Sequence, residues 1–260
     1  MNLSFHFHPT KAGTGRLKLL TLWTLLLSLS LFTGCSSPDL SYELGMIEIE
    51  NEQYESAINH FKTGLKNNPE EPYRFHYVLG RCYFELADYK MAKKELNKTI
   101  VLNAFFPGSY FLMARIFSKN GEFEKAIDYY NQAIAIEPDP RLFASRGLVF
   151  IRMSKFELAL NDLDEALELD PDNAYGLSNR GLVKTKLNKL KEARIDLEKS
   201  RRVDGSNPYV YKHLAILNLA EKDTAKACLN LQEANEKGYS AFGNEIDKND
   251  VSELLKLHCQ

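Results

Sequence analysis

The feature that most limits how this chain can fold is a phrase that recurs about every 34 residues. The stretch "KAIDYYNQAIAIEPDP" at 125–140 returns as "LALNDLDEALELDPDN" at 158–173 and, more loosely, as "SAINHFKTGLKNNPEE" at 56–71. Each copy has a small marker residue: Ala57, Ala92, Ala126, Ala159, Ala193 and Ala227, at intervals of 35, 34, 33, 34 and 34. Four residues later comes a large apolar residue (Phe61, Leu96, Tyr130, Leu163, Leu197, Leu231), and seven later another small one (Gly64, Thr99, Ala133, Ala166, Ser200, Ala234). Positions i, i+4 and i+7 share one helix face, so each phrase predicts an amphipathic helix. Small residues on that face admit a neighbouring helix closely, and the large one fills the gap. Pro69, Pro138 and Pro171 then end their helices.

A second helix is predicted before each marker, signed by a Leu-Gly pair or a substitute: "LG" at 44–45 and 79–80, "MA" at 113–114, "RG" at 146–147 and 180–181, "LA" at 214–215. An aromatic follows in three cases, as Tyr83, Phe117 and Phe150. Polar turns such as "KNGEFE" at 119–124 separate the two helices, with Gly121 suited to a left-handed backbone. Helix breakers every 12–15 residues exclude a coiled coil. A two-helix unit of this period, carrying Leu-Gly, an aromatic, then Ala, a large apolar residue and Pro, resembles the tetratricopeptide repeat from residue 38 to 240. No copy has that family's first Trp; Ser41, His76, Tyr110, Phe143, Leu177 and Tyr211 stand in its place. The resemblance implies an all-α fold: an α–α superhelical solenoid of six helix pairs, at about 38–72, 73–106, 107–139, 140–173, 174–207 and 208–240. A solenoid needs capped ends. Residues 241–260 are expected to supply a loop and a capping helix, started by Asn249 or Asp250 and striped by Val251, Leu254 and Leu255.

The first 34 residues belong to a different class of segment. Lys11, Arg16 and Lys18 precede a 14-residue apolar run from Leu19 to Phe32, followed by Thr33, Gly34 and Cys35. A positive region, a short apolar core and small residues before a cut describe a secretory signal, and the run is short of the roughly 20 residues of a membrane span. "LFTGCSSPD" resembles the lipobox of bacterial lipoproteins, except that Phe32 stands where the family favours Leu. That resemblance implies residues 1–34 as a lipoprotein signal peptide, lipidation at Cys35 and a short tether over 35–41. Two acyl chains suffice for stable membrane attachment. Removal of 1–34 leaves 30 basic against 35 acidic side chains, changing the net charge from −2 to −5.

Neither charge suits a general nucleic-acid binder. The chain has no glycine-rich phosphate loop, His-Glu-x-x-His, Cys-x-x-Cys or nucleophile elbow, so no enzyme, cofactor or metal site is expected. "HFH" at 6–8 lies in the leader, and His258 beside Cys259 gives only two ligands. Acidic pairs such as Asp162 and Asp164 are expected on solvated faces.

What remains is the surface lined by the first helices. In the family the concave groove is formed largely by the second, fifth, ninth, twelfth and thirteenth positions of each repeat, the marker being the twentieth. Carried over, these positions hold Arg74, Tyr77, Arg81 and Phe84 in the second repeat, Phe111, Arg115 and Lys119 in the third, and Arg141 and Arg152 in the fourth. Of the fifteen such positions in these repeats six are basic and one, Glu85, is acidic. Arginine beside aromatics suits a carboxylate or an acidic peptide. The family's carboxylate clamp is absent, because Tyr42 and Met46 occupy its Lys and Asn positions. The expected function is a membrane-tethered adaptor that binds another envelope protein or peptide. The alternative is a soluble or signal-anchored regulatory scaffold without lipidation. In layout, a signal followed by a solenoid, the chain is similar to the repeat-bearing pilotin lipoproteins of type IV pili and to the lipoprotein subunit of outer-membrane barrel assembly.

Cysteine usage adds one structural question. Four cysteines are too few for a disulfide framework. Cys82 is expected to be a buried small hydrophobe. Cys228 follows the last marker and Cys259 ends the capping helix. They can bridge only if their α-carbons come within about 7 Å, which the sequence leaves open.

Overall fold

The computed structural model describes residues 37–239 and 245–259. The leader, Cys35 and the 6–8 histidines lie outside the described residues. Within them are thirteen helices and no strand, in six antiparallel pairs and one closing helix. The pairs are α1 (Pro38–Glu50) with α2 (Tyr54–Lys66), α3 (Pro72–Glu85) with α4 (Tyr89–Leu102), and α5 (Pro107–Lys119) with α6 (Phe123–Ile136). They continue as α7 (Pro140–Arg152) with α8 (Phe156–Leu169), α9 (Ala174–Lys186) with α10 (Leu190–Val203), and α11 (Pro208–Ala220) with α12 (Thr224–Glu236); α13 (Glu245–His258) follows. No described helix is long and apolar enough to cross a membrane.

The marker pattern is a packing device inside each pair. All six marker alanines are fully buried, as are Phe61, Leu96, Leu163, Leu197 and Leu231 four residues on. The glycine of the Leu-Gly or Arg-Gly pair receives that large side chain. A Cβ at Gly45 would lie 2.6 Å from the Phe61 ring, at Gly80 2.8 Å from Leu96, and at Gly181 2.5 Å from Leu197. No real Cβ tolerates such distances, so glycine at these positions sets how closely the paired helices approach.

The turn inside each pair is built alike. Five residues before each marker the backbone is left-handed, at Glu52, Ala87, Gly121, Ser154, Asn188 and Lys222, with φ between 57° and 78°. The N–H of the next residue donates to a carbonyl five residues back: Asp88 to Tyr83 at 2.9 Å, Glu122 to Phe117 at 2.9 Å, Lys189 to Lys184 at 2.8 Å. That bond closes a Schellman motif and satisfies a carbonyl the helix end would orphan. Entry into the pair has its own signal, which the repeat pattern alone did not reveal. Pro38, Pro72, Pro107, Pro140 and Pro208 each open a first helix, where a missing N–H costs nothing.

The closing helix differs from expectation at its start. It begins at Glu245, ahead of Asn249 and Asp250, which lie within it. The preceding Glu245, Ile246 and Lys248 carry no breaker, and a polar residue starts a helix only where the chain enters it. Val251 is buried, and Leu254, Leu255 and Cys259 pack on the core of the last repeat.

Candidate functional site

First helices of successive repeats touch one another directly: α3 with α5, α7 with α9, and α9 with α11. No pair of second helices makes a comparable contact. Helices that approach more closely lie on the inside of a curved array, so the first helices line its concave face.

Two of the expected groove arginines, Arg81 and Arg115, have no carboxylate partner among the described residues. The Arg115 guanidinium carbon lies 4.4 Å from the centroid of Phe84 and 5.7 Å from that of Phe111, between rings of two adjacent repeats. Arg81, one repeat earlier at the same register, is half-buried. Among the described residues neither has a carboxylate oxygen within 4 Å. Arginine on an aromatic face is pre-oriented and only partly desolvated, leaving its N–H groups for an incoming acceptor.

The remaining expected residues divide. Tyr77 and Phe111 share a depression of about 170 Å³ with Gly108, Arg141 and Leu142, walled on one side by Glu137 and Asp139. Arg141 is engaged there: its Nε and Nη2 donate to Asp139 at 2.9 and 2.7 Å. Arg152 donates to the Ser118 carbonyl at 2.8 Å and covers Phe123, bridging the third and fourth repeats. Lys119 is exposed at the end of α5. Arg74 stands apart, since it pairs with Glu71 at 3.1 Å and covers the Tyr42 ring. It borders a separate depression of about 600 Å³ rimmed by Asp39, Glu43, Glu70 and Glu71. The basic surface therefore centres on Arg81 and Arg115 and does not extend to the first repeat.

The expectation of solvated acidic pairs fails at Asp162. It is only 5% exposed and accepts from Arg146 Nε and Nη2 at 2.8 and 2.6 Å. Asp164 is exposed as expected, though it accepts from Arg180 at 2.8 Å. Asp162 lies three residues after its marker, and so do buried Asp196, bidentate to Arg180, and buried Glu95, bonded to His76. Burial would raise the Glu95 carboxyl, but hydrogen bonds from His76 and Lys98 outweigh it and hold it below its ordinary value. The "RG" pairs were the available signal, because their arginines are the partners. These bonds tie helices within and between repeats and leave the concave surface free.

Cys228 and Cys259 are joined by a disulfide, with an S–S distance of 2.01 Å and α-carbons 5.6 Å apart. With its sulfur so engaged, Cys259 offers no thiolate beside His258. Cys82 is free and buried, and burial pushes its thiol up to about 12.

Stacked two-helix units with an open concave face define a helical-repeat solenoid of the protein-binding kind. Three models of the tetratricopeptide repeat match the chain, at residues 42–110, 108–140 and 147–188, and the chain belongs to that family. It is 26% identical over 122 residues to the BBSome complex member BBS4 of Bos taurus, a match covering 46% of this chain and 23% of that one. Its matches span less than a third of the length of five curated relatives, that one included. Its fold is similar to the APC/C hetero-tetramer Cut9–Hcn1, with a TM-score of 0.74 at 16% identity, covering 92% of this chain and 46% of that one. It is also similar to pilF of Pseudomonas aeruginosa, with a TM-score of 0.67 at 16% identity, over 83% of this chain and 96% of that one. The repeat architecture is a scaffold for interactions with other proteins.

Proposed function

We propose that this protein is a non-enzymatic, lipid-tethered adaptor of the bacterial cell envelope, whose concave face binds an acidic segment of another envelope protein. The observation that carries the reading is the Arg81–Arg115 face, where Arg115 is backed by the Phe84 and Phe111 rings and neither arginine has a carboxylate partner among the described residues, in a chain of net negative charge. An acidic segment gains charge-assisted hydrogen bonds there without displacing an internal pair. The tether rests on the leader, in which a short apolar run ends at Gly34 before Cys35. The Cys228–Cys259 bridge supports export, since disulfides persist in oxidising compartments.

Two measurements test the two halves separately. Metabolic labelling with a palmitate analogue should mark the wild-type protein and leave Cys35→Ala unlabelled; label retained in that variant overturns the tether. In-cell crosslinking and capture should recover a partner that the Arg81→Glu/Arg115→Glu variant loses by tenfold or more while its helical circular dichroism is unchanged. Undiminished capture by the double variant removes the groove reading and leaves the tether standing.

A further inference from the structure

The second helix of the second repeat presents a surface that the groove does not use. Lys90, Lys94 and Lys98 follow at four-residue spacing on α4, Val101 continues the stripe, and all four are exposed. The helix packs inward through Ala92, Glu95, Leu96 and Thr99 on its other side. Glu95 is its one acidic residue, and it is buried and already bonded to His76 and Lys98. Among the described residues Lys90 and Lys94 have no carboxylate within 4 Å. With Lys93, α4 carries a net charge of +3, whereas α8 at the corresponding place two repeats on carries five acidic residues and no basic one.

Past the lysines the same edge becomes apolar. Val101 is 85% exposed, Leu102 50% and Phe105 82%. The loop bearing Phe105 is held at both sides: its N–H donates to Asn103 Oδ1 at 3.0 Å, and the next residue, Phe106, packs on Tyr77 with ring centroids 4.7 Å apart. A fixed backbone thus projects an aromatic ring into water.

We propose that this edge docks on an anionic lipid surface, with Lys90, Lys94 and Lys98 among the headgroups and Val101, Leu102 and Phe105 at the acyl boundary. Basic residues beside protruding aliphatic and aromatic ones are what an interfacial membrane contact requires. A protein partner would need a socket for a ring that projects from a turn, and lipid needs none. The acidic α8 of a second copy has matching charge, and reciprocal α4–α8 contacts would close as a two-fold dimer; such a dimer covers the lysines but gives the Phe105 ring no acyl boundary, so acyl-chain quenching separates the two. The proposal goes beyond the tethered-adaptor reading and does not depend on acylation at Cys35.

The test uses the full chain with Trp23→Phe and Phe105→Trp, so that the one tryptophan reports on this edge. Vesicles of phosphatidylcholine with phosphatidylglycerol, and of phosphatidylcholine alone, carry brominated acyl chains as quenchers, and flotation is scored in parallel. The expected result is a blue shift and quenching with anionic vesicles only, retained when Cys35→Ala is added. Lys90→Gln with Lys94→Gln should weaken the partition giving that quenching about twenty-five-fold, near fivefold per charge. Flotation without quenching overturns the inference and leaves the tether intact. Equal quenching on neutral vesicles removes the anionic surface, and lysine-dependent oligomers without quenching assign the edge to a second copy.

Discussion

At the scale of single residues, the informative positions are polar groups that the packing has enclosed. His213 is wholly buried on α11, its Nδ1 2.8 Å from Ser178 Oγ and 3.1 Å from the Ser178 carbonyl. Burial foremost, with nearby Lys212 adding to it, pushes the imidazole down to about 3. The unfolded chain takes up this proton near pH 6.5 and the folded one does not, so the group's contribution is complete above about 6.5 and declines as pH falls toward 3. Between neutral pH and pH 5 the loss is about 2 kcal/mol. Thermal melts should show a lower midpoint at pH 5 than at pH 7.5, and His213→Gln should flatten that difference. An equal decline in the variant would assign it to other groups. The buried acids teach a related lesson about legibility. Three residues after a marker is already on the packed stripe, so burial of Asp162 and Asp196 was readable in principle. Periodicity shows which face a residue occupies, though, and not that an arginine 16 residues earlier meets it. Arg74 and Arg141 are the same case in the groove. Their register was plain, but Glu71 and Asp139 sit in loops with no period to follow.

At the scale of elements, the closing helix is the piece whose attachment is covalent. A bridge between residues 31 apart restricts the unfolded chain by about 3.7 kcal/mol, and here it fastens α13 to α12. In a nearest-neighbour array that stabilisation stays with the repeat it closes. Native-state hydrogen exchange on Cys228→Ser/Cys259→Ser should show amides of α11 to α13 exchanging ten-fold or more faster, with α3 to α6 unchanged. Uniform acceleration along the chain would mean the repeats unfold as one unit. The sequence placed this helix and its apolar stripe. It left the bridge undecided, because a shift of one turn in the helix carries a sulfur several ångströms.

At the scale of the whole molecule, one geometry is imposed six times on six different turn residues. Gly121 and Asn188 suit the left-handed backbone; Glu52, Ala87, Ser154 and Lys222 adopt it with a side chain that disfavours it. For residues other than glycine and asparagine that conformation costs roughly 1–2 kcal/mol, against a smaller entropic cost for glycine. Ala87→Gly and Lys222→Gly should each stabilise by about 1 kcal/mol, contrary to the usual sign for glycine. Four repeats apart, the two should add in a denaturant titration. A loss of stability in either would mean the turn relaxes away from this geometry.

Among the described residues, substantial helix contacts join only partners in the same or adjoining repeats, or the closing helix to the last. Energetic coupling between distant sites needs a packed element that both can bias, and no helix here reaches past its neighbours. A ligand on the second to fourth repeats and an event at the bridged end would then contribute free energies with almost no cross term. The expected consequence is a thermodynamic insulator: occupancy of the concave face in the second to fourth repeats should leave an equilibrium at the bridged end nearly unchanged.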